Sequence, residues 1–178
     1  VKTAGSGVLR ASPLRIRPES PGDFEAVDAV HVQAFGRPGE AALVRALRRE
    51  AKPYLGLVAE REGRVVGQIV FSPVAIEGGS PLALGLGPLA VEPGLQRGGI
   101  GSALVREGLT RCAALAQIVV VLGHADYYPR FGFRPASPFG LRYRSEVFDP
   151  SFFALELLPG ALAGVSGWVR YHEAFERI

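Results

Sequence analysis

Hydrophobic and polar positions along this chain follow two periods, and the switch between them marks the elements. Leu14–Arg17 reads as a short first strand. Ser20, Pro21 and Asp23 then form a helix-start pattern, with a capping hydroxyl, a proline in the first turn and an acid three residues on. Phe24, Val27, Val30, His31 and Ala34 recur at helical spacing and line one face. Phe35–Gly39 breaks that pattern, and Glu40–Glu50 resumes it with Ala41, Val44 and Leu47 inward. Three strand-like runs follow, Tyr54–Glu60, Arg64–Ile76 and Leu82–Val91, divided by turns at Glu62-Gly63 and Gly78-Gly79. They predict an antiparallel meander. Gly99–Ala116 is helical, with Leu104, Val105, Leu109, Cys112 and Leu115 along one side. Ile118–Leu122 is apolar throughout, the pattern of a strand buried on both faces. A strand, a helix and a buried strand in succession predict a right-handed parallel crossover. In the tail, Phe133 opens a strand, Ala136–Pro150 reads as a loop, and Phe152–Leu158 and Gly167–Tyr171 read as strands. The fold class is α/β (α+β): a central mixed, mostly antiparallel, twisted sheet with helices on both faces.

Composition narrows the function classes. The 178 residues are 48% hydrophobic and 21% charged, the balance of a globular chain with room for a core. Residues 13–178 are expected to form one domain behind a flexible leader at 1–12, whose small polar residues lack the apolar stretch of a signal peptide. The net charge is +3, and the arginines are scattered rather than clustered, so no nucleic-acid partner is expected. A basic mouth that attracts an anionic cofactor accounts for the charge equally well. Cys112 is the single cysteine, which fits a reducing cytosol and a cytoplasmic location. No apolar run reaches the length of a membrane span.

Chemistry concentrates in residues 89–104, LAVEPGLQRGGIGSAL. A strand ends near Val91, and Gln96, Arg97, Gly98, Gly99, Ile100 and Gly101 lead into a helix. Glycines at such a junction let backbone N–H groups converge, and the helix start adds its own free N–H groups and positive dipole end. The result is either an anion site for phosphate or a tight turn packed on a sheet. Two familiar phosphate motifs fit poorly. A dinucleotide fingerprint read from Gly99 has Leu104 at its third glycine, and the next strand ends without an acid. A P-loop needs Gly-Lys-Ser/Thr, and the chain has only Lys2 and Lys52.

The order Gln96-x-x-Gly99-x-Gly101 after Leu89-Ala90-Val91-Glu92-Pro93 resembles the acyl-CoA signature of the GCN5-related N-acetyltransferase (GNAT) superfamily. Tyr127-Tyr128-Pro129-Arg130-Phe131-Gly132-Phe133, about thirty residues on, resembles the later tyrosine-containing element of that family. The late segment GWVRYHEAF is similar to the C-terminus of one bacterial branch of predicted N-acetyltransferases. The resemblance implies an acetyl-CoA-dependent N-acetyltransferase that moves an acetyl group to a primary amine by direct attack. It implies that CoA runs between two parting parallel strands, here Leu82–Val91 and Ile118–Leu122. Gly85, Gly87 and Pro88 in the first of these mark either a bulge and close approach or merely an irregular strand. By the same resemblance, Leu89, Ala90 and Val91 hold the pantetheine arm through their backbone, and Gln96 through Ser102 hold the pyrophosphate. The N–H of Val91 polarises the acetyl carbonyl, a contribution of about 3 kcal/mol when such a donor is fixed in place.

Acyl transfer to an amine needs a base for the ammonium and an acid for the departing thiolate. Tyr128 stands four residues before Gly132, where the family places its acid; Tyr127 is the adjacent alternative, and packing is the other role for either ring. His124 and Glu92, each just past one of the parting strands, are the candidate bases, or both are ordinary surface residues. Arg142 and Arg144 could draw an acidic group on the acceptor, or lie in a solvated loop. The acceptor pocket is expected from Phe35–Gly39, Ala136–Pro150 and the C-terminal strands. No metal-ligand set is assigned, and a homodimer is left open. The competing function is a non-catalytic module that binds acyl-CoA or a protein partner on the same fold.

Overall fold

The computed structural model describes residues 13–178, so the leader expected at residues 1–12 lies outside the described residues. Strands β1 (Arg15–Pro18), β2 (Leu55–Arg61), β3 (Arg64–Ile76) and β4 (Ala83–Val91) form the expected antiparallel meander. β5 (Ile118–Leu122) runs parallel to β4, across helix α3 (Ile100–Cys112). β8 (Phe152–Glu156) pairs antiparallel with β5 and carries β6 (Arg134–Pro135) on its far edge, for a strand order β1-β2-β3-β4-β5-β8-β6. Helices α1 (Phe24–Phe35) and α2 (Gly39–Glu50) cover the opposite face of the sheet from α3.

The core follows from the alternation of side chains along the strands. Leu57, Ile69, Phe71, Leu84 and Val121 face Ile100, Leu104 and Cys112 of α3. Val58 and Val70 face Val27, Leu43, Val44 and Leu47 of α1 and α2. A third cluster packs Ile118, Val120 and Phe152 beneath the C-terminal segment. β5 therefore contributes to the core on both faces, as its unbroken apolar run predicts. Cys112 is fully buried in this core, and burial pushes its thiol up to about 12, so it packs as a protonated hydrophobe.

Two sequence expectations need adjustment. α3 stops at Cys112 rather than Ala116, because a tight turn (Leu115 N–H to Cys112 O, 2.8 Å) redirects the chain into β5. The segment expected as loop, Ala136–Pro150, holds short 3-10 turns and a two-residue strand, β7 (Leu141–Arg142). β7 pairs with β9 (Gly167–Arg170), which also meets the end of β3. These pairings involve distant segments, which local periodicity does not register.

The feature that positions the site is the parting of β4 and β5. They pair from Ala83↔Ile118 to Leu86↔Val121 and no further, while β4 continues to Val91. Opposite Val70 of β3, β4 carries two residues, Gly87 and Pro88, as the register shifts between Phe71↔Leu86 and Ile69↔Leu89. Such a bulge bends its strand and increases the local twist. Gly85 allows a close approach, since a Cβ there would collide with the Tyr171 ring.

A buried polar chain ties α1 and α2 to the sheet. His31 Nε2 meets Gln68 Oε1 at 2.7 Å, and Gln68 Nε2 donates to Glu19 at 3.0 Å. Glu19 also accepts from Arg48 Nε at 2.8 Å and Tyr54 Oη at 2.7 Å. Burial lowers the His31 pKa, partly opposed by its bond to Gln68 and by the charges of Glu40, Asp28 and Glu19. The folded state therefore holds His31 neutral, whereas an unfolded imidazole takes up a proton below about pH 6.5. Stability should be intact above that pH and fall as pH drops through it. Urea unfolding at pH 7.5, 6.5 and 5.5 should show this loss, and the His31→Gln variant should lose less between those values; equal slopes would contradict it.

Candidate active site

β4 beyond Leu86 has β3 on one side and no strand on the other. Glu92 N–H donates to Val66 O at 2.9 Å. By antiparallel alternation Ala90 N–H also turns toward β3, and the N–H groups of Leu89 and Val91 turn toward the gap. Gln96 Nε2 reaches back to the Val91 carbonyl at 3.1 Å. The side chain of Gln96 thus braces the turn against the strand end. Gly99 is the N-cap of α3 in the left-handed region, φ +85°, a conformation that glycine adopts without strain.

Two adjoining hollows meet at this point. The smaller, about 500 Å³, is lined by Val91, Gln96, Arg97, Gly99, Gly101 and Ser102, with Arg130 from the far side. It joins the free N–H groups of a helix start to two guanidinium groups, a setting for anionic phosphate oxygens. Gly101 keeps it open: a Cβ there would lie 3.1 Å from Tyr127 Oη. The larger hollow, about 600 Å³, lies where β4 and β5 part. Leu89 and Tyr127 border both.

Tyr128 and His124 line the larger hollow. Tyr128 begins a 3-10 turn (Tyr128–Phe131), and its ring lies over Gly123, where any Cβ would collide with it. Burial pushes its phenol above the ordinary range, with the neighbouring Tyr127 adding to the shift, so it keeps its proton. The ring packs edge-on against Tyr127 (5.1 Å) and Phe133 (5.7 Å). Tyr127 Oη instead faces Ser102 Oγ at 3.4 Å, on the side of the phosphate-like cradle.

Other expected residues lie elsewhere. Glu92 pairs with Arg64 at 3.5 Å and borders a separate hollow with Asp23 and Gly63, away from Tyr128. Arg142 is bound to Asp149 (3.0 Å) and Glu146 (3.2 Å), and Arg144 to Glu176 (2.7 Å). Neither arginine lines the large hollow; Tyr143 between them does. Their charges are matched by Glu146 and Asp149 of the same segment and by Glu176 of the C-terminal turn. Of the large hollow, Glu40 carried no role in the sequence, and Tyr171 and Phe175 figured there only within GWVRYHEAF and the C-terminal strands; Arg130 of the cradle carried no role of its own. Arg130 was legible only as a member of the second motif.

Known proteins are similar to this chain in sequence and fold. The sequence profile of the acetyltransferase (GNAT) domain matches residues 52–135. The chain is 40% identical over 166 residues to the uncharacterized N-acetyltransferase YhbS of Escherichia coli K12, covering 92% of this chain and 99% of that protein. The crystal structure of E. coli YhbS in complex with CoA superposes with a TM-score of 0.88, at 38% identity over 95% of each chain. A GNAT family acetyltransferase from Brucella melitensis in complex with acetyl-CoA gives 0.76, at 37% identity over 92% of this chain and 99% of that one. With its profile match, its full-length relative and the parted strands beside a glycine-rich helix start, the chain belongs to the GNAT family of N-acetyltransferases.

Proposed function

We propose that this protein transfers an acetyl group from acetyl-CoA to a primary amine by direct attack of the amine. The observation that carries the reading is the continuity of two hollows, one built to hold anionic oxygens and one holding a protonated tyrosine. The chain fits the cofactor: the Gly101 surface lacks the Cβ that would narrow the cradle, and helix N–H groups stand free beside it. Acetyl-CoA bound here supplies an activated thioester. Leu89 and Val91 offer their gap-facing N–H groups to the pantetheine arm, while Ala90 stays tied to β3. Gln96, Arg97, Gly98, Gly99, Ile100, Gly101 and Ser102 form the pyrophosphate turn, with Arg130 opposite.

The Val91 N–H is also a fixed donor for a carbonyl oxygen gaining charge. Tyr128 Oη is the acid we assign, donating its proton to the departing sulfur. Tyr127 is the weaker choice, because its hydroxyl faces Ser102. His124, at the edge of the large hollow, is the base we assign, directly or through water; Glu92 is set aside by its place in another hollow. No described helix is long and apolar enough to cross a membrane, and a cytoplasmic location is the reading that the lone protonated Cys112 supports.

Calorimetric titration should give CoA a dissociation constant of about 1 μM, near −8 kcal/mol. Gly101→Asp should abolish that binding, since a carboxylate would enter the anion cradle; absence of wild-type binding at millimolar CoA would refute the assignment. Tyr128→Phe should lower acetyl-CoA turnover with amines by about 10²-fold or more while leaving CoA affinity unchanged. Unchanged turnover in a folded Tyr128→Phe protein would move the acid to another group. Wild-type CoA binding without any turnover would favour the non-catalytic module.

A further inference from the structure

The large hollow differs chemically from the acceptor site expected at the sequence level. Phe35 ends α1, Leu43 comes from α2, Leu122 ends β5, and Tyr143, Tyr171 and Phe175 come from the C-terminal third; all six line it. Tyr143, Tyr171 and Phe175 form a continuous aromatic wall, with centroids 5.4 Å and 5.0 Å apart and edge-on geometry. Phe35 and Leu122 remain 41% and 38% exposed although both are large and apolar. Their exposure falls at the rim of one cavity, the setting in which uncovered apolar surface serves binding.

Charge in the hollow is sparse and of one sign. Among its described lining residues there is no Lys or Arg, and Glu40 is the single acidic side chain. Glu40 is 5% exposed and is held by the exposed Arg37, with Nη2 at 2.5 Å. Arg37 is committed to Glu40, so an anionic acceptor would find no free Lys or Arg among the described lining residues. A polycation fares little better: its further ammonium groups would lie against aromatic and aliphatic walls, and burying an unpaired charge there is unfavourable. A monoamine leaves the rest of its body uncharged, so that only the reacting nitrogen needs a polar partner.

Resting on the N-acetyltransferase reading above, we propose that the acceptor is a small primary monoamine on an uncharged apolar body, aryl or alkyl. The body lies against the aromatic wall and the Phe35 rim, and the amine lies toward the parted strands where Tyr128 and His124 stand. A hollow of about 600 Å³, shared with the acyl end of the cofactor, suits a body of that size.

The test uses the full chain with acetyl-CoA and phenethylamine, hexylamine, propylamine, spermidine, glutamate and a lysine-containing peptide as acceptors. Phenethylamine and hexylamine should exceed propylamine, spermidine, glutamate and the peptide in kcat/KM by about 10-fold or more, the scale on which apolar pockets discriminate. Calorimetry on the CoA-loaded protein should show phenethylamine binding and no spermidine or glutamate binding. Phe35→Ala, at an exposed position that should fold, should raise KM for phenethylamine by about 10-fold with CoA affinity unchanged. A preference for spermidine, glutamate or the peptide would overturn the inference and leave the acetyltransferase reading standing. So would CoA binding with no apolar amine bound or acetylated. Failure to bind CoA at all would overturn both.

Discussion

The parting of β4 from β5 is the constraint on which the rest of this structure depends. A fully paired sheet has no free backbone donors in its interior, because every N–H is committed to a neighbour. Here pairing stops at Leu86↔Val121, and β4 continues for five residues with one edge open. The bulge at Gly87 and Pro88 bends β4, and Pro88 has no N–H to give to a ladder. On the other side, Gly123 N–H turns to Ser151 O at 2.8 Å, which leads the chain away from β4. An open edge is ordinarily a liability. Its place beside the N-terminus of α3 turns it into a row of donors next to an anion cradle.

The two faces of the sheet give the opening its polarity. On the α3 face lie the glycine turn, the two guanidinium groups of Arg97 and Arg130, and the Tyr128 ring over Gly123. On the α1 and α2 face lie Phe35, Glu40 and the aromatic wall brought by the C-terminal segment. One side is suited to phosphate and the other to an apolar body, and in the proposed reaction their atoms meet where the strands part. The polar chain from His31 through Gln68 to Glu19 and Arg48 keeps the α1 and α2 wall in register with β3. The proposed acceptor wall is thereby coupled to the sheet that carries the open edge of β4.

The meander, the crossover and the glycine turn were legible in the sequence because each rests on local pattern. The period of Leu104, Val105 and Cys112 placed α3, and the unbroken apolar run of Ile118–Leu122 placed β5 in the middle of the sheet. Gly87 and Pro88 left a bulge and a merely irregular strand both open, and the register shift opposite Val70 is the bulge. The acceptor side was legible in outline only: Phe35, Tyr143 and Tyr171 of the large hollow come from the three segments expected to build it, but its chemistry did not show. β7 and β9 are two and four residues long and exist only through pairing with distant partners. Arg142 and Arg144 looked free in the sequence, yet Glu146, Asp149 and Glu176 claim them, the last from 32 residues away. Glu40 entered the sequence reading only as the start of the second helical pattern. Its burial in the large hollow depends on the packing of α2 against the sheet and the C-terminal segment.

Residue-resolved amide hydrogen exchange by NMR, with and without CoA, tests the central claim most directly. If β4 offers its free edge to the cofactor, CoA should slow exchange at Leu89 and Val91 and across Gly98–Ser102. Ala90 between them, already bonded to β3, should hardly change. Uniform slowing along β4, or protection confined to the Arg142–Glu146 segment, would contradict the account.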